Sequence, residues 1–309
     1  MARVMQNGVG GVNAHLTVIA TKSPPRPQAL SSCRPHAPAI SADAMTRAPK
    51  SFSPGRHRRA RQPGGAAPEG PLRLYGLHTI EAAFANPERR RLKLYATENA
   101  LRRLTERDIT IDVPVETTSP KKLDQMVGRD AVHQGAVLEA EPLPAFGVRD
   151  LGRARLVLAL DQVTDPHNVG AILRSAVALG ADAVVTTERH APEEGPVLAK
   201  SASGALDMIR HVRVKNMARF VTEMRDSGFR AIALDSEGPA RLEETPTGDR
   251  VLLVLGSEGK GVRQGVRENC DALARLDMPG KIASLNVSNA AVLALYIIRE
   301  SLEGRGRAQ

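Results

Sequence analysis

The 309-residue chain contains no tryptophan, three tyrosines, five phenylalanines and two cysteines. So few aromatic rings argue against a platform that binds single-stranded nucleic acid by stacking many bases. Cys33 and Cys270 are far apart, so they form neither a disulfide framework nor the paired spacing of a metal site. No run approaches the roughly 18 apolar residues of a membrane span. We therefore expect a cytoplasmic protein with no membrane segment and no bound metal.

The positive charge of the chain is concentrated at its beginning. The formal net charge is +9, and residues 1–68 contain ten Lys or Arg and a single acid. The remainder has as many acidic as basic residues. Any affinity of this remainder for RNA must therefore come from local patches rather than from net charge.

Residues 1–68 are rich in Pro, Ala, Ser, Gly and Arg and show no sustained hydrophobic period. Such a segment buries too little surface to offset the entropy of ordering, so we predict a disordered basic extension. An Arg-rich leader that is poor in acids also fits a transit peptide, which would place the protein in mitochondria. A mis-assigned start, with Met45 as one possible true start, fits equally well.

A small α/β domain is predicted over residues 72–141, followed by a proline-containing linker at 142–152. Thr79 is positioned to cap a helix of this domain. Short apolar runs predict strands at 92–96, 111–115 and 134–140.

Residues 153–305 alternate apolar strands and helices regularly. Near-continuous runs of Val, Leu and Ala between helices predict a parallel sheet covered on both faces. The predicted strands are 156–160, 183–187, 212–214, 230–235, 251–255 and 272–276, and the predicted helices are 169–179, 217–227 and 288–301.

Three short polar segments stand out in this second region, and we call them the first, second and third motif. They are Asn168-Val-Gly-Ala-Ile-Leu-Arg174, Gly256-Ser-Glu-Gly-Lys-Gly261 and Ser284-Leu-Asn-Val-Ser288. Each follows a predicted strand or lies just before a helix. We therefore expect all three at one edge of the sheet, where open α/β folds bind their ligands.

Taken singly, each motif also has an ordinary structural interpretation. Asn168 stands where a helix N-cap is expected, and a cap followed by a surface arginine is common. The second motif lacks the spacing of a phosphate-binding loop, and a glycine-rich turn with the exposed acid Glu258 would explain it. In the third motif, however, capping needs one polar residue, whereas four cluster between Ser284 and Asn289.

In their order, the three motifs resemble those of the SpoU (TrmH) family of RNA ribose 2'-O-methyltransferases, which belong to the SPOUT superfamily. The earlier segments Tyr75-Gly-Leu-His78 and His133-Gln-Gly135 are similar to the small α/β (L30e-like) RNA-binding domain that precedes the catalytic domain in many members. The resemblance implies a SPOUT α/β-knot, a trefoil-knotted parallel sheet. It is strongest to the branch that methylates a guanosine of bacterial 23S rRNA. Methylation of tRNA, or a non-catalytic ribosome-assembly role in RNA binding, stays open.

The resemblance also implies a methyl donor and a set of site residues. S-adenosylmethionine would be held by main-chain groups of Gly256, Leu276, Met278 and Leu285. The implied catalytic residues are Asn168, Arg174, Glu258, Ser284 and Asn286. Because a guanidinium has a pKa above about 12, we expect Arg174 to stabilise the developing alkoxide and grip an RNA phosphate rather than act as a base.

Two further expectations come from the same resemblance. The protein would be a homodimer with its last helix near the partner, and would act on 23S rRNA or a pre-50S particle. The chain departs from the family pattern at Leu276-Asp-Met278, where members usually have Ile-Pro-Met. Asp277 adds a charge there whose purpose the sequence does not reveal.

Overall fold

The structure, a computed structural model, describes residues 71–282 and 284–306, so the extension predicted at 1–68 lies outside the described residues. The chain forms two sheets, one of four strands within residues 72–140 and one of seven strands within residues 156–275. Within the described residues, no helix combines the length and apolar character needed to cross a membrane.

The smaller sheet has the strand order β1-β4-β2-β3. Strand β4 pairs antiparallel with both β1 and β2, and β3 is added parallel to β2. The elements are β1 (Leu72–Tyr75), α1 (Leu77–Ala85), β2 (Arg91–Ala96), α2 (Glu98–Thr105), β3 (Val115–Thr117), α3 (Pro120–Val127) and β4 (Ala136–Ala140).

Three predictions for this region are wrong in detail. Helix α1 is preceded by Gly76 as its N-cap, and Thr79 lies inside the helix with its hydroxyl donating to the carbonyl of Ala199. The strand predicted at 111–115 begins only at its last residue because the proline before it has no N–H to donate. The strand predicted at 134–140 begins late because Gln134 and Gly135 have φ values of 55° and 87°.

The larger sheet has the order β7-β6-β5-β10-β8-β11-β9, and every pair in it is parallel, which confirms the predicted parallel sheet. Its elements are β5 (Leu156–Asp161), α4 (Pro166–Ala178), β6 (Ala183–Thr187), α5 (Pro196–Ala202), β7 (Arg210–Val214), α6 (Met217–Asp226), β8 (Arg230–Leu234), β9 (Ala240–Arg241), β10 (Val251–Gly256), α7 (Gln264–Arg267), β11 (Ala272–Arg275) and α8 (Val287–Gly306).

Side chains of the central strands alternate between the two faces of this sheet, as a strand requires. On β5, Leu156, Leu158 and Leu160 pack with α4, α5 and α8 in one core. The intervening Val157 and Ala159 pack with α6 in a second core on the other face. The linker region adds Phe146 to the edge strand β7 through a single parallel bridge.

The small sheet shares a hydrophobic core with the first face of the large sheet. Leu77 and Ile80 of α1 belong to the same cluster as Leu198 and Ala199 of α5. The contact is close: a Cβ on Gly204, which has φ 93°, would lie 2.8 Å from Ala82 Cβ. The two regions therefore pack as one body across this junction.

A buried ion-pair cluster fixes the same junction. The side chain of Arg89, after α1, is fully buried. Its Nε lies 2.8 Å from Asp207 Oδ1, and its Nη1 lies 2.5 Å from Glu194 Oε1. Nη1 also donates to the carbonyl of Glu141 at 3.0 Å. One guanidinium of the small region is thus neutralised by two carboxylates of the large one.

We predict that Arg89→Met lowers the free energy of unfolding by about 3–5 kcal/mol, because two carboxylates lose their cation in a mostly buried place. Arg90→Met is the matched control, since Arg90 is 73% exposed and pairs only with the half-exposed Glu141. It should cost less than about 1 kcal/mol. Urea unfolding of the three proteins measures both values, and equal losses would contradict a structural role for the buried cluster.

Candidate active site

The three motifs meet at the carboxyl edge of the large sheet. The first motif lies in α4, the helix that follows β5. The second motif begins at the end of β10, the neighbour of β5 in the sheet, and the third leads into α8. In this sheet β6 and β7 lie on one side of β5, and β10 and β8 lie on the other, so the strand order reverses its direction at β5. A crevice at such a point is where doubly wound sheets bind ligands.

One carboxylate joins the three motifs. Glu258 Oε1 accepts hydrogen bonds from Asn286 Nδ2 at 2.6 Å, from Asn168 Nδ2 at 3.3 Å and from the amide of Val287 at 3.3 Å. Asn286 Nδ2 also donates to Asn168 Oδ1 at 3.1 Å. Three side chains separated by up to 118 residues in sequence therefore form one network. Because each amide donates within it, the network fixes the orientation of both asparagines.

Asn168 enters this network from inside a helix, and its prediction as the N-cap is wrong. The cap of α4 is Asp165, whose carboxylate accepts from the amides of His167 and Asn168. Pro166 occupies the first helical position, where its missing N–H costs nothing. With capping done by Asp165, the amide side chain of Asn168 is available to contact Glu258.

Gly170 of the first motif serves helix packing. A Cβ there would overlap Ser201 Cβ and lie 2.8 Å from the amide nitrogen of Ala202. Helix α5 therefore passes directly against α4 at the level of the motif. The glycine is needed because any side chain would separate the two helices.

The loop of the second motif closes on itself. Gly261 N donates to the carbonyl of Ser257 at 2.9 Å, and Gly259 and Gly261 have φ values of 77° and 63°. A Cβ on Gly256 would overlap the backbone of Gly261. At Gly256 the close neighbour is therefore the loop itself. The tight loop presents Glu258 at its exposed tip.

A buried acid anchors the end of this loop. Asp161, the last residue of β5, is fully buried, and its carboxylate accepts from the amide of Arg263 at 3.0 Å and from its Nη2 at 2.6 Å. This hydrogen bonding raises the pKa of the Arg263 guanidinium. Strand β5 and the loop of the second motif are thereby held together without any contribution from Glu258.

In the third motif, Asn286 is oriented from both ends. Its Oδ1 accepts from the amide of Ser288 at 2.9 Å and from the hydroxyl of Ser288 at 2.5 Å, while its Nδ2 serves Glu258. Ser284, predicted as a catalytic residue, lines the adjacent cavity but forms no side-chain hydrogen bond with other described residues. Ser288, which the predicted set omits, belongs to the network instead.

Arg174 is not brought into the network. It is exposed on α4, and within the described part of the chain its side chain has no hydrogen-bond or ion-pair partner. Six residues turn a helix by about 600°, so Asn168 and Arg174 point about 120° apart around α4. The guanidinium is therefore free for a ligand rather than held by the protein.

A cavity of about 280 Å³ lies beside Glu258, between the loops that follow β8, β10 and β11. Its lining combines leucines with residues of the second motif and with several polar residues. In the described part of the chain, no group of three or more His, Cys, Asp or Glu is arranged to hold a metal. The lining residues are Leu234, Asp235, Ser236, Leu255, Gly256, Ser257, Glu258, Gly259, Gly261, Leu276, Met278, Ser284, Leu285, Val287 and Ala290.

Comparison with known proteins identifies this arrangement. The profile of the SpoU rRNA Methylase family matches residues 155–296, and that of the RNA 2'-O ribose methyltransferase substrate binding domain matches residues 73–146. The 23S rRNA (guanosine-2'-O-)-methyltransferase RlmB of Pseudomonas aeruginosa is 35% identical over 73% of this chain and 95% of its own length. The chain belongs to the SpoU rRNA methylase family. The RlmB protein of Coxiella burnetii is similarly related, at 34% identity over 74% of this chain and 96% of the relative.

The fold of the SpoU family is also found among solved structures. The SpoU methyltransferase AviRb from Streptomyces viridochromogenes, in complex with the cofactor AdoMet, superposes with a TM-score of 0.65. It is 24% identical, and the likeness covers 75% of this chain and 90% of AviRb. The predicted fold class, a parallel α/β sheet of the SPOUT methyltransferase type with a small α/β domain before it, is thereby confirmed.

The residues predicted to hold the SpoU methyl donor are gathered in one place. Gly256, Leu276, Met278 and Leu285 all line the cavity next to Glu258. The peptide groups of Met278 and Leu285 make no backbone hydrogen bond to another described residue, so they are available to a ligand. Leucine walls with open peptide groups fit an adenine ring, which is flat, largely apolar and edged with hydrogen-bonding groups.

Asp277 does not line this cavity. Its carboxylate lies 3.4 Å from Nη2 of Arg241 on β9, and both side chains are nearly half exposed. A pair of this kind contributes little to stability. The departure from the family pattern at Asp277 therefore directs a charge at the neighbouring edge strand and adds none to the cavity.

Several residues of the site escaped sequence reasoning. Asp235 and Ser236 line the cavity directly after β8, and Asp161 anchors the second motif. All three stand at or just after the end of an apolar strand, the same signal that drew attention to Gly256. Applied to every strand of the parallel sheet, that signal would have found them.

We predict that Gly256→Ala lowers the free energy of unfolding by about 1–3 kcal/mol, because the new methyl overlaps the backbone of Gly261 and must open the loop. Gly265→Ala, a few residues on, is the control. A Cβ there meets nothing within 4 Å, and the residue lies in α7, so alanine should stabilise by about 0.5–1 kcal/mol. Thermal unfolding distinguishes them, and a neutral Gly256→Ala would show that the loop is not closed as described.

Proposed function

We propose that this protein transfers a methyl group from S-adenosylmethionine to the ribose 2'-hydroxyl of a guanosine in 23S rRNA. The observation that carries the proposal is the network of Asn168, Glu258 and Asn286 at the mouth of a cavity suited to the donor. Bacterial relatives named 23S rRNA (guanosine-2'-O-)-methyltransferase, at 34–35% identity over nearly their whole length, support the substrate and a cytoplasmic location. In this proposal the guanosine is methylated either in free 23S rRNA or in a pre-50S particle that contains it.

The bound donor supplies a methyl group activated by a sulfonium cation. The chain's own contribution is to bind and position. Leu234, Leu255 and Leu276 provide apolar walls for the adenosine part, and the open peptide groups of Met278 and Leu285 provide polar contacts. Main-chain recognition suits this site because the peptide groups need only correct geometry.

The network positions the acceptor ribose. A ribose hydroxyl is a poor nucleophile, so much of the acceleration must come from aligning its oxygen with the methyl group. Glu258 Oε1 is saturated by three donors, whereas Oε2 has no hydrogen-bond partner within the described residues. Oε2 can therefore accept a hydrogen bond from the substrate while Oε1 keeps the two asparagines in place.

Arg174 supplies positive charge where the hydroxyl becomes an alkoxide. Its exposed guanidinium has no intramolecular partner in the described structure, so binding RNA breaks no existing ion pair. A planar guanidinium can bind a phosphate with two parallel hydrogen bonds and still stabilise a neighbouring oxyanion. We assign Arg174 this electrostatic role and leave proton removal to solvent or to the carboxylate.

The last helix supports a homodimer. Helix α8 and the segment before it expose large apolar side chains, with Ile282 76%, Leu293 43% and Tyr296 50% accessible. Leu293 and Tyr296 are three residues apart and so lie on one face of the helix. An exposed apolar face of this kind beside an active site is typical of an interface between subunits.

The function is tested by mapping 2'-O-methyl groups on total RNA from cells with and without the protein. We expect one guanosine of 23S rRNA to lose its methyl group in its absence and to regain it with the wild-type gene. Arg174→Lys should restore less than about a tenth of the methylation, because lysine cannot form the planar bidentate contact. Purified Arg174→Lys should bind S-adenosylmethionine like the wild type in calorimetry.

Other outcomes of that experiment decide against parts of the proposal. A methyl group lost from tRNA and none from 23S rRNA would replace the substrate. Failure of the wild type to bind S-adenosylmethionine at millimolar concentration would leave a non-catalytic RNA-binding protein. Near-normal methylation by Arg174→Lys would remove the planar contact from the mechanism.

For the dimer, we predict that Leu293→Asp converts the protein to monomers, since a buried unpaired carboxylate at an apolar interface is strongly unfavourable. Glu303→Gln is the control, because Glu303 is exposed further along the same helix. Sedimentation velocity gives the mass of each. A wild-type protein that sediments as a monomer at micromolar concentration would refute the homodimer.

A further inference from the structure

Lys200 occupies the junction between the small and large sheets. It lies in the last turn of α5, and its ammonium reaches over the segment Tyr75-Gly76 of the small domain. A Cβ on Gly76 would overlap Lys200 Nζ, and the ring centre of Tyr75 is 6.0 Å from the same atom. Gly76 therefore leaves the space that the lysine fills.

The charge of Lys200 is not balanced by the protein. The residue is half-buried, and burial lowers the pKa of its ammonium. Among the described residues no carboxylate lies within 4.0 Å of it. Arg89, in the same junction, has two carboxylates for its single charge. A half-buried cation without a counter-charge in the protein is stabilised when an external anion binds it.

The surroundings of Lys200 lead to the active site. Ser201, the next residue, has its hydroxyl 3.1 Å from Nδ1 of His167, which directly precedes Asn168. The close packing of Gly170 on Ser201 brings α5 against the helix that carries Arg174. An RNA strand that extends from the ribose site to the small domain has to cross this junction.

The small domain contributes polar groups at the same place. Gln134 Oε1 accepts from the amide of Leu77 at 3.0 Å, and this oxygen lies 3.4 Å from the Cβ position of Gly76. The Gln134 side chain is thus fixed beside the lysine. Its amide nitrogen has no partner within the described residues, so it can donate to a ligand.

We propose that Lys200 binds a backbone phosphate of the substrate RNA at the junction of the two domains, with the Gln134 amide as a second donor. This proposal rests on the proposed function and names a contact that carries RNA from one domain to the other. An ammonium is a compact point charge, so the contact recognises phosphate without reading sequence. Its role is to set the distance between the RNA held by the small domain and the ribose at Asn168.

The test is the salt dependence of binding to an unmodified 23S rRNA transcript, measured by filter binding on the full-length protein. Each phosphate contact contributes about 0.7–0.9 to the slope of log affinity against log salt. Lys200→Met should lower the slope by about one contact and weaken binding about five- to eightfold at 0.1 M salt. Lys200→Arg keeps the charge and should retain most of the slope.

The control is Lys215→Met, which removes one exposed lysine from the loop before α6. Helix α6 packs on the other face of the sheet. It should leave the slope unchanged. The thermal midpoint separates binding from folding: Lys200→Met should melt at or above the wild-type temperature, because it removes an unbalanced charge. If Lys200 only stabilises the junction, Lys200→Met should lower the thermal midpoint and leave the salt slope unchanged.

An unchanged slope in Lys200→Met, or an equal fall in Lys215→Met, overturns the phosphate site. Methyl transfer and donor binding by the wild type are measured separately. If they are normal while the slope of Lys200→Met is unchanged, the phosphate site is wrong and the proposed function stands. If the wild type neither binds the transcript nor transfers a methyl group, both are refuted.

Discussion

The site depends on one carboxylate oxygen. Glu258 Oε1 accepts hydrogen bonds from Asn168, Asn286 and the first amide of α8, so it ties together three chain segments that the sheet only brings near one another. All three donors are neutral, and together they compensate a charge that would otherwise be solvated. Removing the oxygen would leave Asn168 with only its bond to Asn286. Asn168 is therefore oriented by the carboxylate and by Asn286, whereas Asn286 is also held by Ser288 of α8.

Two supports keep that carboxylate in place. The glycines of the second motif allow the loop to close on itself, and the buried Asp161 holds Arg263 at the loop's far end. Neither support uses the Glu258 carboxylate, which stays available at the tip for the asparagines and for a ligand. The hydrogen bonds that fix the loop therefore do not compete with the substrate for the Glu258 carboxylate.

Much of the fold was predictable, because buried parallel strands are near-continuous apolar runs and the six long runs of the second region all became strands. That the three motifs meet was predictable because loops at the carboxyl ends of parallel strands share one edge of the sheet. The wrong predictions concern local features such as helix caps and strand starts. The cap of α4 is Asp165 rather than Asn168, since either residue type suits that place and only tertiary contacts decide. Helix geometry places Arg174 about 120° from Asn168 around α4 but does not say where a long side chain ends, so its lack of a partner among the described residues could not be predicted.

The shared core of the two sheets limits how this protein can have changed through recombination. A small domain that meets its neighbour through a flexible tether can be exchanged as a unit, whereas here α1 and α5 contribute to the same hydrophobic cluster and Arg89 is neutralised from the other side. A substrate domain grafted from a relative would have to bring matching partners for Gly204, Asp207 and Glu194. Diversity in RNA choice is therefore more accessible through point changes on the exposed surface than through exchange of the whole domain.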